Sequence, residues 1–244
     1  VHNKLLTHLA LQQHNIPMPK TYLAPNTDAA KQLLGKVNYP IVIKIPTGTQ
    51  GKGVMFADSQ SSASSLLDAM ESLNQPVIIQ QYIETGGADV RALVVGEKVV
   101  GAMRRKAHTA EKRANLHAGG KGEAVLLSRE AVNIALDTAK ALRSDICGVD
   151  ILESPMGPLV IEANISPGLQ GLNEVSTIDI PDQIAHFLFR KTDGIVNAAK
   201  KRAAKEVMQD IQMETQGMQQ IISSLTFRGE RILLPEFVTK NDGL

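Results

Sequence analysis

Hydrophobic spacing divides the chain into short elements of mixed type. Leu5, Leu6, Leu9 and Ala10 recur at helical intervals. The pattern stops near His14-Asn15, where Pro17 and Pro19 forbid continuation, so a helix and then an extended lead-in are expected. Thr27-Asp28 ahead of residues 29–34 reads as a capped short helix closed by Gly35. A β-branched run at 40–45 is followed by Thr47-Gly48-Thr49-Gln50-Gly51-Lys52-Gly53 and a second short apolar run at 54–57, which predicts strand, loop, strand. Residues 61–73 have helical period, 77–83 read as a strand, and 88–95 and 98–103 flank Gly96-Glu97 as a hairpin. Ser128-Arg129-Glu130 opens a helix to about residue 143, and strands at 148–152 and 159–164 enclose the turn Ser154-Pro155-Met156-Gly157. Strands and helices mix without regular βαβ alternation, so the expected class is α+β.

Two stretches stand apart. Residues 104–121 carry six Lys or Arg against the single acid Glu111, with Gly119 and Gly120, a polar loop too long for a simple connection. From Gly194 onward Ala, Gln, Met and Lys dominate, and residues 203–225 predict one long helix. Positions 204, 208, 211, 215, 218, 222 and 225 step like a heptad seam weakened by Thr215. An amphipathic helix packed on its own domain and a self-associating helix both fit, and the second leaves a homo-oligomer open. The expected organisation is one domain over residues 1–193, divided near residue 83 into two subdomains, and a helical tail over 194–244.

Composition then narrows the function. With 43% hydrophobic and 21% charged residues in 244, the chain is no disordered, collagenous or disulfide-scaffold protein. A formal charge of +1 removes the case for a dedicated DNA binder. The one cysteine, Cys147, forms neither an internal disulfide nor a thiolate zinc cluster and reads as a buried small hydrophobe, so a reducing, cytoplasmic compartment is expected. No apolar run reaches the roughly 18–20 residues of a membrane span. The start, Val1-His2-Asn3-Lys4, lacks a signal-peptide pattern and opens directly on a helix, so a preceding segment is expected to be missing.

The most informative spacing is Asp150, Glu162 and Asn164. In a hairpin turning on Met156, Asp150 and Glu162 lie opposite each other, and Asn164 shares their face by the period of two. Opposed carboxylates repel unless something positive lies between them, and three oxygen donors suit a hard cation; a register shifted by one residue would instead separate the acids. Lys44, in the apolar run Ile41-Val42-Ile43-Lys44-Ile45, needs an anionic partner, and the glycines, hydroxyls and Lys52 of the following loop suit phosphate. An exposed hairpin loop with Lys44 reaching solvent at an edge is the alternative. The loop is not a Walker A sequence and opens no helix. Gln80-Gln81-Tyr82-Ile83-Glu84 ends a strand where backbone groups suit an adenine edge and Glu84 suits ribose hydroxyls. Arg104, Arg105, Arg113, Asn115 and His117 offer a clamp for phosphoryl groups or a carboxylate, or else a solvated loop.

Taken together, Ile43-Lys44 with its Gly-rich loop, Gln80-Gln81-Tyr82-Ile83, Asp89-Val90-Arg91, Arg113-Ala114-Asn115-Leu116-His117, Gly148-Val149-Asp150-Ile151 and Ile161-Glu162-Ala163-Asn164-Ile165-Ser166-Pro167-Gly168 resemble the ATP-grasp ligases, specifically the RimK-like α-L-glutamate ligase family. The resemblance runs over about residues 3–189. It implies an ATP-grasp fold, two α+β subdomains clasping ATP. Lys4 and Lys44 would meet the phosphates with Gly51 and Gly53, Gln81 and Tyr82 the adenine hinge, and Asp89 the ribose. Arg113 and Asn115 would approach the phosphates and metal, with Arg104 as a further catalytic candidate. Asp150, Glu162 and Asn164 would hold two Mg2+ or Mn2+ ions. The implied reaction activates a carboxylate as an acyl phosphate for attack by an amine. L-glutamate would be the amine and a protein C-terminus the acceptor, a ribosomal protein being one candidate. Where the family often has an acid before the hinge Tyr, this chain has Gln81. The family's N-terminal domain has no counterpart here, nor has the tail beyond about Gly194 a counterpart in the family. Glutamate ligation to a small molecule, an ATP-binding module inactive without that N-terminal domain, and an assembly protein built on the long helix are the competing readings.

Overall fold

Alternation of apolar residues builds the first sheet. A computed structural model of the chain describes residues 4–46, 53–73, 75–106, 121–214, 226–228 and 231–233. It divides into two compact units, Val1–Arg190 and Lys191–Leu244. In the first unit, β1 (Thr21–Ala24), β2 (Ile41–Lys44), β3 (Val54–Ala57) and β4 (Val77–Gln81) form an antiparallel sheet in the order β1-β4-β2-β3. Ile41, Ile43, Val77 and Ile79 point to one face, where Ala30 of α2 (Thr27–Lys31) and Ala63 and Leu67 of α3 (Gln60–Met70) cover them. The opposite face carries Lys44 and Gln80. The cap of α2 is Asn26, whose Oδ1 accepts from the Ala29 N–H at 2.9 Å. Thr27, expected there from the sequence, is buried one position later.

The second sheet contains β5 (Ala88–Val95), β6 (Lys98–Lys106), β7 (Lys121–Ala124), β8 (Ile146–Ser154) and β9 (Gly157–Asn164), all antiparallel in the order β7-β6-β5-β8-β9. Ala92, Val94, Val149, Ile151 and Val160 face α4 (Arg129–Ala141), whose Ala131, Ile134 and Ala135 complete the core. The opening helix α1 (Lys4–Gln13) also joins this core, through Leu11, with Ile16 just beyond it. From there the chain crosses to the first sheet, held by a bond from the Val160 N–H to the Pro17 carbonyl at 2.9 Å. Leu172 of α5 (Gln170–Val175) and Ile180 of α6 (Ile180–Glu214) cover part of the other face, over Leu93, Val95 and Met103.

Helix α6 starts well before residue 203 and passes through Gly194. A single glycine costs a helix only about 1 kcal/mol, too little to end one of 35 residues. The seam positions from 215 to 225 lie outside the described residues. In the second unit, β10 (Thr226–Arg228) pairs antiparallel with β11 (Arg231–Leu233). Among the described residues, no helix is long and apolar enough to cross a membrane.

The β8–β9 hairpin reaches its register by two steps. Ser154 pairs with Gly157 across Pro155-Met156, and Ile151 with Val160, one position away from what a turn centred on Met156 requires. A bulge between Asp150 and Ile151 then shifts the ladder, so Asp150 pairs with Glu162 and Gly148 with Asn164, as the sequence spacing predicts. Beyond Asn164 the chain folds back over Gly148, where an added Cβ would sit 2.7 Å from the Pro167 Cβ. Gly148→Ala is therefore expected to lower stability by about 1–3 kcal/mol in urea unfolding. Gly35→Ala, where a Cβ meets nothing within 4 Å, serves as control and should shift it by less than ~1 kcal/mol; equal effects would contradict this packing.

Candidate functional site

Asp89, Arg91, Arg105 and Asp150 gather on the face of the second sheet that α4 does not cover. Arg91 lies directly opposite Asp150, and Asp89 directly opposite Arg105. Arg91 donates from Nε to Asp150 Oδ1 at 2.7 Å and from Nη2 to Oδ2 at 2.8 Å. Arg105 donates from Nε and Nη2 to the two Asp89 oxygens, each at 2.6 Å, and the same Nη2 lies 3.0 Å from Asp150 Oδ2. Asp89, Arg105 and Asp150 are all buried, and buried charges require such partners. Burial by itself raises the Asp150 pKa, but the Arg105 and Arg91 guanidiniums outweigh it and hold the carboxyl below its ordinary value. At Asp89 burial wins over the attraction of Arg105 and pushes the carboxyl up to about 6.

Glu162 and Asn164 stand beside this network on the same face. Lys4 Nζ approaches Glu162 Oε1 at 3.9 Å, so the positive charge expected between the opposed acids is supplied here by side chains. A carboxylate has about four lone-pair positions, and the three guanidinium contacts leave Asp150 one of them, on Oδ1. That position, the half-exposed Glu162 carboxylate and the Asn164 amide oxygen are hard donors and fit a divalent cation of the magnesium class. Among the described residues, no three His, Cys, Asp or Glu side chains form a metal cage by themselves.

The first sheet contributes Lys44. Its Nζ donates to Gln80 Oε1 at 2.7 Å, Gln80 Nε2 donates to Thr21 Oγ1 at 2.9 Å, and the Thr21 hydroxyl donates to the Pro19 carbonyl at 2.7 Å. These bonds tie β2, β4 and β1 into one polar row. The Lys44 ammonium is densely surrounded although its side chain keeps some exposed surface, and burial pushes it down to about 8. Glu162 and Asp150 oppose that shift and Lys4 reinforces it, so charges from both sheets and α1 lie within electrostatic reach of one another. His8, one turn beyond Lys4, is lowered by its own burial and by Lys44.

Strand parity places the remaining candidate residues. Arg104 lies on the α4 side, paired with Glu153 at 2.6 Å and 3.9 Å from Glu123, on the opposite face from Asp150. Arg105 and Arg91 occupy the face that carries Asp150. Gln81 points away from Lys44, toward Lys20, Tyr22 and Asn38, while Gln80 meets Lys44. Which of two identical neighbours faces Lys44 or Asp150 follows from the period of two once β4 and β6 are aligned with their neighbours. Tyr82, just past β4, packs edge-on against Phe56 at 5.7 Å, and its hydroxyl donates to Glu84. Glu84 also accepts from the Gly86 N–H, so its oxygens serve a local turn. Asp89 is engaged by Arg105 on both oxygens and lies beside a cavity lined also by Thr85, Arg104, Lys106 and Glu153. Gly53 has a left-handed φ of 76° and closes the hairpin after the loop. Gly51, Arg113 and Asn115 lie outside the described residues.

Residues 1–188 match the model of the RimK-like ATP-grasp domain. The chain is 44% identical over 190 residues to a probable α-L-glutamate ligase 2 of Pseudoalteromonas atlantica, covering 77% of this chain and 63% of that protein. It is 42% identical over 188 residues to a probable α-L-glutamate ligase of Saccharophagus degradans, covering 76% and 62%. It thus spans a little under two thirds of the length of these curated relatives. Among solved structures, D-cycloserine synthetase DcsG superposes with a TM-score of 0.65 at 18% identity, over 78% of this chain and 70% of that one. The ATP-grasp ligase PsnB, complexed with a phosphomimetic variant of its minimal precursor, Mg and ADP, gives 0.61 at 22%, over 78% and 59%. At these identities the structures establish a shared fold.

Lys44 gives the site a pH signature. Its folded pKa lies below the ordinary lysine value, so the charged form burdens the fold below about pH 8, and the burden lifts as pH rises toward the unfolded value. Lys44→Met should therefore stabilise the ligand-free chain by about 1–2 kcal/mol at pH 7, with the gain shrinking by pH 10. Urea unfolding at both pH values measures it, and a gain that grows with pH would contradict the assignment.

Proposed function

Because the chain belongs to the RimK-like ATP-grasp family, we propose that it is the ATP-binding part of a ligase that joins L-glutamate to the C-terminal carboxylate of a protein, with a ribosomal protein as candidate acceptor. The observation that carries this reading is the meeting of Lys44 from one sheet, Lys4 from α1, and Asp150, Glu162 and Asn164 from the other sheet at one polar seam. The names of the curated relatives support glutamate as the incoming group. The Mg and ADP in the PsnB complex support a nucleotide and a divalent cation.

In the proposed reaction a carboxylate oxygen of the acceptor attacks the γ-phosphorus of ATP, the bond to the β-phosphate oxygen breaks, and ADP departs. The glutamate amine then attacks the acyl carbon, phosphate leaves with the bonding pair, and the nitrogen loses its proton. Lys4 and Lys44 neutralise the transferring phosphates, aided by backbone N–H groups at Gly51 and Gly53. By the family resemblance, Arg113 and Asn115 would approach the same phosphates and the metal, and the backbone at Gln81 and Tyr82 would meet adenine. Asp150, Glu162 and Asn164 would hold two Mg2+ or Mn2+ ions, whose charge would offset that of the phosphates. The proposed catalytic body is residues 1–193, with subdomains meeting near residue 83 and a helical tail after it, in a cytoplasmic protein.

Glu162 is the informative residue to change. Removing Asp150 takes both side-chain bonds from Arg91 and one contact from buried Arg105, whereas Glu162 is half exposed and outside that network. Glu162→Gln should leave unfolding within ~0.5 kcal/mol and lower magnesium-dependent ATP turnover by about 100-fold. Intact-mass analysis of ribosomal proteins incubated with the wild-type chain, ATP, magnesium and glutamate should show successive glutamate increments. Increments confined to small-molecule acceptors would replace the protein acceptor, and unimpaired turnover in the variant would remove Glu162 from the site.

A further inference from the structure

We propose that Asp89 is a positioning residue for the cation face: by holding Arg105, it keeps the last free lone pair of Asp150 available to a divalent cation. The inference rests on the proposed reading of Asp150, Glu162 and Asn164 as the cation-binding set, and it gives Asp89 a role in addition to the nucleotide contact that the family resemblance implies.

The geometry at Arg105 is asymmetric. Its Nη2 is shared between Asp89 Oδ2 at 2.6 Å and Asp150 Oδ2 at 3.0 Å, while its Nε is committed to Asp89 Oδ1 at 2.6 Å. Two short parallel bonds fix the guanidinium plane on Asp89, and only one edge reaches Asp150. Arg105 is 6% exposed, so its charge cannot turn to solvent. With the Asp89 carboxylate gone, the near acceptor for that buried cation is Asp150, 3% exposed and already bonded by Arg91. Arg105 would then close on Asp150 with a second N–H and fill the remaining Oδ1 position. A guanidinium and a metal ion cannot occupy the same lone pair, so the cation is displaced by competition. The cross-strand pairing of Asp89 with Arg105 in β5 and β6 makes the restraint rigid, because both side chains stand on backbone that cannot slide without breaking the ladder.

An ion pair that merely joins β5 to β6 would not couple to cation affinity through Arg105, and a double-mutant cycle separates the two cases. Mn2+ binding to the full chain is followed by the loss of the free-ion paramagnetic resonance signal, without ATP or acceptor, with circular dichroism confirming the fold of each variant. Asp89→Asn should weaken Mn2+ binding by about tenfold, the scale expected when a group orienting a ligand is lost. Asp89→Glu, which keeps a carboxylate on Arg105, should remain within about threefold of wild type. In an Arg105→Gln background, where nothing is left to restrain, adding Asp89→Asn should change affinity by less than about twofold. An Asp89→Asn chain that binds Mn2+ as wild type does, or an equal loss on adding Asp89→Asn to Arg105→Gln, overturns the proposal. If Asp89→Asn does not fold, the comparison of Arg105→Gln with the double variant decides alone. A wild-type chain that binds no Mn2+ overturns the reading of the cation site itself and this inference with it.

Discussion

The second sheet is organised around one buried carboxylate. Asp150 is 3% exposed, and an isolated charge at that depth costs several kcal/mol. Arg91 answers it from the directly opposed position on β5, and Arg105 from β6, but Arg105 is itself buried and needs a second acid, which Asp89 provides. The four charges cancel across three strands. The consequence is for register more than for stability, since well-packed apolar residues often stabilise such positions equally well. A slip of one residue in any of these strands would carry a charged side chain into the apolar layer under α4, where Ala92, Val94, Val149 and Ile151 lie. The ion network and the apolar core therefore specify the same pairing from opposite faces.

That pairing gives the two sheets something to exchange. With Asp89, Asp150 and Glu162 set against Arg91, Arg105, Lys4 and Lys44, the described polar seam carries one more cation than anion, a surface suited to a polyanion. Helix α1 makes the seam possible. It anchors Leu11 in the core of the second sheet while Lys4, two turns earlier, reaches Glu162, and His8 stands near Lys44 of the first sheet. A helix that belonged to the first sheet alone would not bring Lys4 to Glu162.

Much of this was legible in the sequence, for reasons that differ from place to place. The α+β class and seven of the eleven described strands follow from short β-branched runs and turn residues, and these survive because local propensity and burial agree, whereas β1, β7, β10 and β11 were not foreseen. The opposition of Asp150 and Glu162 was predicted from a turn that is displaced by one position, and the bulge at Asp150 restores what the turn shifts. Two small irregularities thus cancel, and neither has a sequence mark strong enough to foresee. Arg104 and Gln81 show the opposite case. In Arg104-Arg105 and Gln80-Gln81 two identical residues are adjacent, so composition cannot choose between them, and only the parity of the strand against its neighbours decides. The long helix was placed too late because Gly194 read as a boundary, although a continuous helix absorbs one glycine easily.

Asp150 and Glu162 are paired across a ladder yet are built for different work. Asp150 is locked by three guanidinium contacts at 2.7–3.0 Å and pulled below its ordinary pKa, so it is charged and oriented before any ligand arrives. Glu162 is half exposed, and Lys4 stands at 3.9 Å, outside hydrogen-bonding distance, so neither is committed to the other. A bound cation with a phosphate would separate this loose pair, drawing the carboxylate to the metal and the ammonium to the phosphate oxygens. Only the weakly held half of the site then has to rearrange, and the buried half keeps the geometry fixed. In the proposed site, preorganisation at Asp150 and freedom at Glu162 together would let the seam bind charge without disturbing the register on which the sheet depends.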